Sequence, residues 1–490
     1  MLKKLASQTA IYGLSSIVGR FINYLLVPLY TYYFTAAEYG VVSEFYAYSG
    51  FLSVFLLLGF ETGYFRFHQD HPKAYSTALG FVLLVNISVA VLCFVFNQAI
   101  SSALHYSAHR EYVICFALIL TFDALAALPF AKLRAENRAL RFASIKLIEI
   151  LLTVALSLFF IVLCPLLKKQ NITWLALIYR EEIGIGYIFL ANLLASASKF
   201  LFLAPQFGAI CRGFDWSLFK RMVAYSLPMV IISFAGIVNE MLDRALLKYF
   251  LPYDNETNLA QLGIYSACYK LSILMTLFIQ AFRYAAEPFF FSYAKNSDAK
   301  RVYAQVLRYF TIFCVFIFLL VTLYLDFFKY FIGAAFRSGL KVVPILLLAN
   351  LFLGIYVNLS IWYKLSDRTA MGAGVSLLGA GLTVILNFYW IPWLGYMGSA
   401  YATLVCYAVM AGVSYVLGQI YYPVAYHIKA VIGYLLFGVG LYFASIVLQP
   451  LLAWQSGCLA SALMVLYTLV TLLFERYHLR HQRLTLQGQP

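Results

Sequence analysis

Fourteen apolar runs, each near the length of a bilayer crossing, take up almost the whole chain. They cover residues 10–34, 43–65, 76–103, 111–131, 142–164, 184–204, 222–247, 262–287, 303–325, 341–363, 369–391, 396–417, 427–448 and 451–474. A helix rises about 1.5 Å per residue, so about 20 residues cross a hydrocarbon core about 30 Å thick. Inside that core the backbone must satisfy its own hydrogen bonds, and for runs of this length the helix does so. Composition agrees: 63% of residues are hydrophobic and 11% charged, where soluble domains run near 45–50% and about 25%. The expected fold is therefore an all-α polytopic membrane protein of about 14 transmembrane helices. Pro28, Pro129, Pro228, Pro288 and Pro344 fall in or beside the runs and are expected to mark kinks.

Orientation follows from the loops. With the N-terminus inside, the cytoplasmic segments collect roughly twenty Lys and Arg and the opposite side roughly eight, which places both termini in the cytoplasm. The largest contributions are KLRAENRALR (132–141), KNSDAKR (295–301), KLSDR (364–368) and ERYHLRHQR near the C-terminus. The net charge of +15 is thus read as a topology signal and not as a nucleic-acid surface. MLKKLASQTA at the start is read as the approach to an uncleaved first span, since the apolar stretch behind it is too long for a signal peptide.

The loops also bear on function. The longest, PLLKKQNITWLALIYREEI (165–183), is too short to fold as a catalytic domain, and no Walker loop, GxSxG or HExxH occurs. An enzyme is not expected. The eight cysteines are scattered through apolar runs with no CxxC, and are read as packing residues. His68/His71 and His105/His109 have helical spacing but sit at membrane borders, so they are read as interfacial residues; no metal or cofactor is expected.

Two echoes suggest internal duplication. AKLRAENRA follows the fourth run and YKLSDRTA the tenth; EYGVVSEFY in the second run is echoed by QLGIYSACY in the eighth, with Gly40 and Gly263 in register. The offsets are about 220–235 residues, or six spans, and an even number of spans relates two halves by an axis along the membrane normal. The expected organisation is a six-helix lobe at 1–210, a second six-helix lobe at 211–420, and helices 13–14 with a basic cytoplasmic tail at 421–490.

Charges inside the runs are the candidate functional residues. A charge at the centre of a membrane helix costs about 2.5–3.5 kcal/mol on insertion scales, so such residues face one another or a wet cavity. Lys146, Lys199, Arg283, Glu61 and Glu287 lie near span ends, where snorkelling explains them, and Lys146/Glu149 and Arg283/Glu287 have the spacing for local pairing. Arg20, Asp123 and Lys270 are deeper and have no local partner. In VNEMLDRALLKYF (238–250), Glu240, Asp243 and Arg244 fall within one and a half turns. Arg244 can neutralise one acid. The other either pairs with Lys270 of the eighth span as a structural lock, or belongs to a site exchanging protons, Na⁺ or substrate phosphate.

Several blocks carry a family likeness: AIYGLSSIVGRFINYLLVPLYT, EYGVVSEFYAY, GFETGYFRF, LPFAKLRAENRALRFASIKL, NEMLDRALLKYFLP, YSACYKLSILMTLFIQAFRYAAEPFFF and ILNFYWIPWLGYMGSAYATL. They sample the chain from the first run to the twelfth. The sequence resembles the bacterial oligosaccharide-lipid flippases, or polysaccharide biosynthesis proteins, of the multidrug/oligosaccharidyl-lipid/polysaccharide exporter superfamily. The resemblance implies two six-helix lobes around a lumen plus two further helices, in the bacterial cytoplasmic (inner) membrane. It also implies the activity: flipping an undecaprenyl-diphosphate-linked oligosaccharide, such as a surface polysaccharide or lipopolysaccharide O-antigen precursor, to the outer leaflet by alternating access.

A diphosphate headgroup suits Arg forks and Lys point charges in a hydrated cavity, so Arg20, Lys270, Arg244 and Arg283 are the candidate diphosphate ligands. Asp123, Glu240 and Asp243 are the candidate charge network, with H⁺ or Na⁺ as coupling ion. Outward movement of a dianion also runs down an inside-negative potential, about 2.3 kcal/mol per charge per 100 mV. A glycan polymerase or ligase is the candidate protein partner. Lipid II flipping and multidrug antiport within the same superfamily are the alternatives; a membrane glycan polymerase is disfavoured by the short external loops.

Overall fold

The computed structural model describes residues 17–170, 178–448 and 456–487, side chains of 209–212, 456 and 478–487 excepted. The N-terminal segment and the start of the first apolar run lie outside the described residues. So do the middle of the longest loop, the start of the last run and the basic tail side chains from 478 on.

The described residues are almost wholly helical. Helix α1 comprises 17–24 and Leu26–Tyr33. Then follow α2 (Ala36–Phe67), α3 (Ala74–Val95), α4 (Arg110–Ala135), α5 (Ala139–Lys168), α6 (Gly186–Gly208) and α7 (Trp216–Phe250). Helix α8 has two pieces, Asn255–Lys270 and Ile273–Tyr293, bent by 51°. The rest are α9 (Ala299–Leu323), α10 (Ala334–Leu365), α11 (Thr369–Leu394), α12 (Tyr396–Tyr421), α13 (Ile428–Leu448) and α14 (Ser456–Gln487). Among the described residues twelve helices are long and apolar enough to cross a membrane, thirteen when the bent α8 is one span. The chain is a multi-pass membrane protein. The expected count of about fourteen is not reached, because α1 is described only from residue 17 on and is not among those thirteen.

Local chemistry sets the helix ends. Thr35 and Glu38 form a reciprocal capping box at the start of α2: the Glu38 carboxylate accepts the Thr35 N–H at 2.8 Å, and the Thr35 hydroxyl accepts the Glu38 N–H at 3.3 Å. The Asp215 carboxylate accepts the Leu218 N–H at 2.9 Å to start α7. At the far end of α7 the Asn258 amide donates to the carbonyls of Lys248 and Leu251, both at 3.0 Å.

The interruption of α1 at Leu25 falls three residues before Pro28, but two other sharp breaks lie away from the prolines. Pro129, Pro228 and Pro288 lie inside helices, whereas α2 breaks at Leu58–Gly59 and α8 at Leu271–Ser272. Both residues of the α2 break have positive φ, 46° and 69°, and a Cβ on Gly59 would lie 3.0 Å from the Ser226 carbonyl oxygen. The Asn86 amide donates to the Leu56 carbonyl at 3.1 Å, beside that break. At the α8 break the Ser272 hydroxyl donates to the Tyr269 carbonyl at 2.7 Å and accepts from the Asn350 amide at 3.1 Å. Polar side chains inserted into the helical ladder account for both breaks.

The chain divides into two compact units, Met1–Ser266 and Ala267–Pro490. In the first, α4 packs against α3 and α6, α6 against α5, and α7 against α2. One end is filled by a cluster of Phe60, Leu79, Val82, Leu128, Leu218 and Met222. In the second, α12 packs against α10 and α11, while α9 packs against α10, α13 and α14.

Candidate functional site

Three clusters of charge lie inside the first unit. The first joins α4, α5 and α6. The Lys199 ammonium is buried and donates to Asp123 Oδ1 at 2.7 Å and to Glu149 Oε1 at 2.5 Å. Ser196, one turn before Lys199 on α6, donates to the same Asp123 oxygen at 2.6 Å. Asp123 nevertheless keeps 46% of its side-chain surface open while Lys199 keeps 5%, so the cluster offers an acid to its surroundings and hides the base. Lys146 adds a second cation on α5, 5.2 Å from the Phe130 ring centroid.

Asp123, expected to lack a partner on its own helix, finds one on another. One sequence expectation changes. Glu149, expected to pair with Lys146 on its own helix, pairs with Lys199. An i,i+3 or i,i+4 pair on a helix surface contributes only about 0.2–0.5 kcal/mol, whereas a buried ammonium without a partner costs several. The buried lysine therefore captures both acids.

Arg20 on α1 is exposed and makes no ion pair among the described residues. Its neighbour Gly19 lies against α5, where a Cβ would come 2.5 Å from Ile150 Cδ1.

The second cluster answers the question of the stretch 238–250. Asp243 is buried and accepts the Tyr265 hydroxyl of α8 at 2.6 Å. Arg244 lies 3.8 Å from the same carboxylate, and its guanidinium donates to the backbone carbonyl of Glu240 at 2.8 Å. Of the two acids that Arg244 could neutralise, the guanidinium lies beside Asp243, and the Glu240 side chain is exposed. A phenol, rather than only cations, meets the buried acid.

The third cluster was not anticipated. Lys248 of α7 and Glu44 of α2 are both fully buried, and the ammonium donates to the two carboxylate oxygens at 2.9 and 3.0 Å and to the Leu104 carbonyl at 2.7 Å. Tyr48 and Tyr106 donate to the carboxylate at 2.5 Å each, and the Tyr106 ring centroid lies 4.3 Å from the ammonium. All three ammonium protons are used. The available signal is a glutamate well inside one helix and a lysine in the last turn of another, each within an otherwise apolar stretch.

In the second unit, Glu287 pairs with Lys364 of α10 instead of with Arg283, which is exposed. The first unit holds an equivalent pair, Glu61 of α2 with Arg134 of α4. Lys270 ends the first piece of α8, next to the bend. Arg308 of α9 and Glu475 of α14, also missed from the sequence, form a buried pair at 2.8 Å, with the Tyr434 hydroxyl donating to Glu475 at 2.6 Å. No group of three or more metal-ligating side chains occurs among the described residues.

The description "Polysaccharide biosynthesis protein" belongs to a family model that matches residues 33–336, well over half of the chain. The chain belongs to this family. No curated protein matches it. Among solved structures it is similar to lipid II flippase MurJ in an inward closed conformation, with a TM-score of 0.67 and 12% identity over 94% of this chain and 98% of that one. It is also similar to a multidrug resistance MATE family transporter of the MOP superfamily. The inward-facing form gives a TM-score of 0.59 at 13% identity and the outward-facing form 0.58 at 14%, each over 84% of this chain and 94% of the other. At these identities the likeness establishes the fold alone, and the neighbours that share it are a flippase and multidrug transporters.

Proposed function

We propose that this polysaccharide biosynthesis protein flips an undecaprenyl-diphosphate-linked oligosaccharide from the cytoplasmic to the outer leaflet by alternating access. The observation that carries the reading is the imbalance of intramembrane charge. Asp123, Glu149, Asp243, Glu44, Glu61 and Glu287 are each engaged by a cation of the chain. Arg20 and Arg283 are exposed and make no ion pair among the described residues. Cations left over in a transporter fold suit an anionic cargo, and a guanidinium grips a diphosphate through two parallel hydrogen bonds. Lys270 and Arg244 are the further candidate ligands. Asp123, with Glu240 and Asp243, is the proposed exchange point for H⁺ or Na⁺, acting with the membrane potential.

Lipid II flipping is the second reading, favoured by the likeness to MurJ, since lipid II also presents a diphosphate. Deleting the protein and identifying which lipid-linked saccharide accumulates in the inner leaflet separates the two. Complementation with Arg20→Ala should then insert normally and fail to relieve the accumulation, with Arg20→Lys intermediate. Full relief by Arg20→Ala would remove that arginine from the proposal.

A further inference from the structure

The second unit contains a cavity of about 720 Å³ between the end of α12, the start of α13 and α14, within the range of small-molecule sites. Its walls are amphipathic. Tyr415, Tyr426, Phe437 and Phe474 supply aromatic surface; His427 and Lys429 supply the basic groups. Lys429 is exposed and forms no ion pair among the described residues. Glu475, bonded by the wall residue Tyr434, is already taken by Arg308.

The polar atoms behind that wall are under-used. Arg308 is 1% exposed, yet its Nε and Nη1 donors have no hydrogen-bond partner among the described residues. The cavity also stands at the basic end of the unit: Lys300 lies 4.9 Å from the ring of Tyr422, just past α12, and Arg368 4.3 Å from that of Tyr421, the last residue of α12. Beside it, Leu436 and Leu473 are exposed, as lipid-facing side chains of α13 and α14.

We infer that this cavity binds a structural anionic phospholipid, phosphate toward Lys429 and His427, with acyl chains leaving along the exposed apolar faces of α13 and α14. The lone uncompensated lysine selects the charge, the aromatic wall selects a lipid over a free anion, and the site is separate from the residues proposed to grip the cargo.

The test uses the full-length purified protein in detergent, with added phosphatidylglycerol, phosphatidylcholine, inorganic phosphate or undecaprenyl phosphate. Lipid retention is read by native mass spectrometry and stability by thermal unfolding. Phosphatidylglycerol should be retained and should raise Tm above the phosphatidylcholine value, while inorganic phosphate leaves Tm unchanged. Lys429→Gln should lower phosphatidylglycerol retention about fivefold, corresponding to roughly 1 kcal/mol for one lysine at an anionic surface. Gly433→Phe gives a second arm: Gly433 lines the cavity and a Cβ there meets nothing within 4 Å, so the ring should fill the space and expel the lipid without disturbing the fold. Equal retention of the two phospholipids, retention undiminished in both variants, the same Tm rise from inorganic phosphate, or displacement by equimolar undecaprenyl phosphate would each overturn the assignment.

Discussion

Gly40 of α2 and Gly263 of α8 cross in a reciprocal contact. A Cβ on Gly40 would lie 1.9 Å from the carbonyl oxygen of Leu259, and a Cβ on Gly263 would lie 2.0 Å from that of Ala36. Each glycine thus meets the residue four positions before the other, so the two helices approach backbone to backbone at this point.

Small residues at such a crossing let membrane helices approach through their backbones. Gly40→Ala and Gly263→Ala should each lower stability by about 1–3 kcal/mol, the usual range for overpacking, because the obstacle is a carbonyl and not a flexible side chain. Gly412→Ala, where a Cβ meets nothing within 4 Å, should be neutral or slightly stabilising. Thermal unfolding in detergent reads all three, and wild-type Tm in both crossing variants would contradict the close approach.

The Glu44–Lys248 pair makes an asymmetric prediction. Glu44→Leu strands a buried ammonium with the Leu104 carbonyl as its remaining acceptor, at a cost of about 3–5 kcal/mol. Lys248→Met should cost less, because Tyr48 and Tyr106 still donate to the carboxylate. The double variant should be more stable than Glu44→Leu, since an apolar pair replaces two ions without leaving either alone. A double-mutant cycle on unfolding free energies checks the order; strictly additive losses would mean that the two groups do not act as a pair.

Asp123 and Lys199 should separate folding from transport. Asp123→Asn leaves Lys199 bonded to Glu149, so stability should change by about 1 kcal/mol or less, while export of lipid-linked glycan falls if the exposed acid exchanges ions. Lys199→Met leaves two carboxylates without their shared cation and should lose both stability and export. Full export by Asp123→Asn, measured as surface glycan against accumulated precursor, would falsify the coupling role.

Much of the architecture was legible because its signals are local. Apolar run length gives the spans, and the sequence echo picks out Gly40 and Gly263, which meet at a helix crossing. The partners of buried charges were not legible in the same way. Helical spacing offered Lys146–Glu149 and Arg283–Glu287, but Lys199 and Lys364 reach the glutamates from other helices. Glu44 and Arg308 escaped notice because each is neutralised by a residue far along the chain, Lys248 and Glu475, a relation that no periodicity encodes. The breaks at Leu58–Gly59 and Leu271–Ser272 were hidden for a similar reason: they depend on Asn86 and Asn350 from neighbouring helices, whereas the prolines that did stand out lie within helices.

Asp215 supplies a pH-dependent prediction outside the membrane-spanning segments. Its carboxyl is held below the ordinary value of 3.8, first by the Leu218 N–H that it caps and further by the Ser217 N–H and by Lys73 and Arg221. A depressed folded-state value means that the contribution is complete above the unfolded value and is lost as pH falls through the folded one. Asp215→Ala should therefore lower Tm at pH 7, and the gap to wild type should narrow only below about pH 4, as both states take up the proton. Asp215→Asn, which still accepts the Leu218 N–H but carries no charge, should lose part of this stability and show a weaker acid dependence. A gap that stays constant from pH 7 down to pH 3 would show that the ionised carboxylate contributes nothing to holding the start of α7.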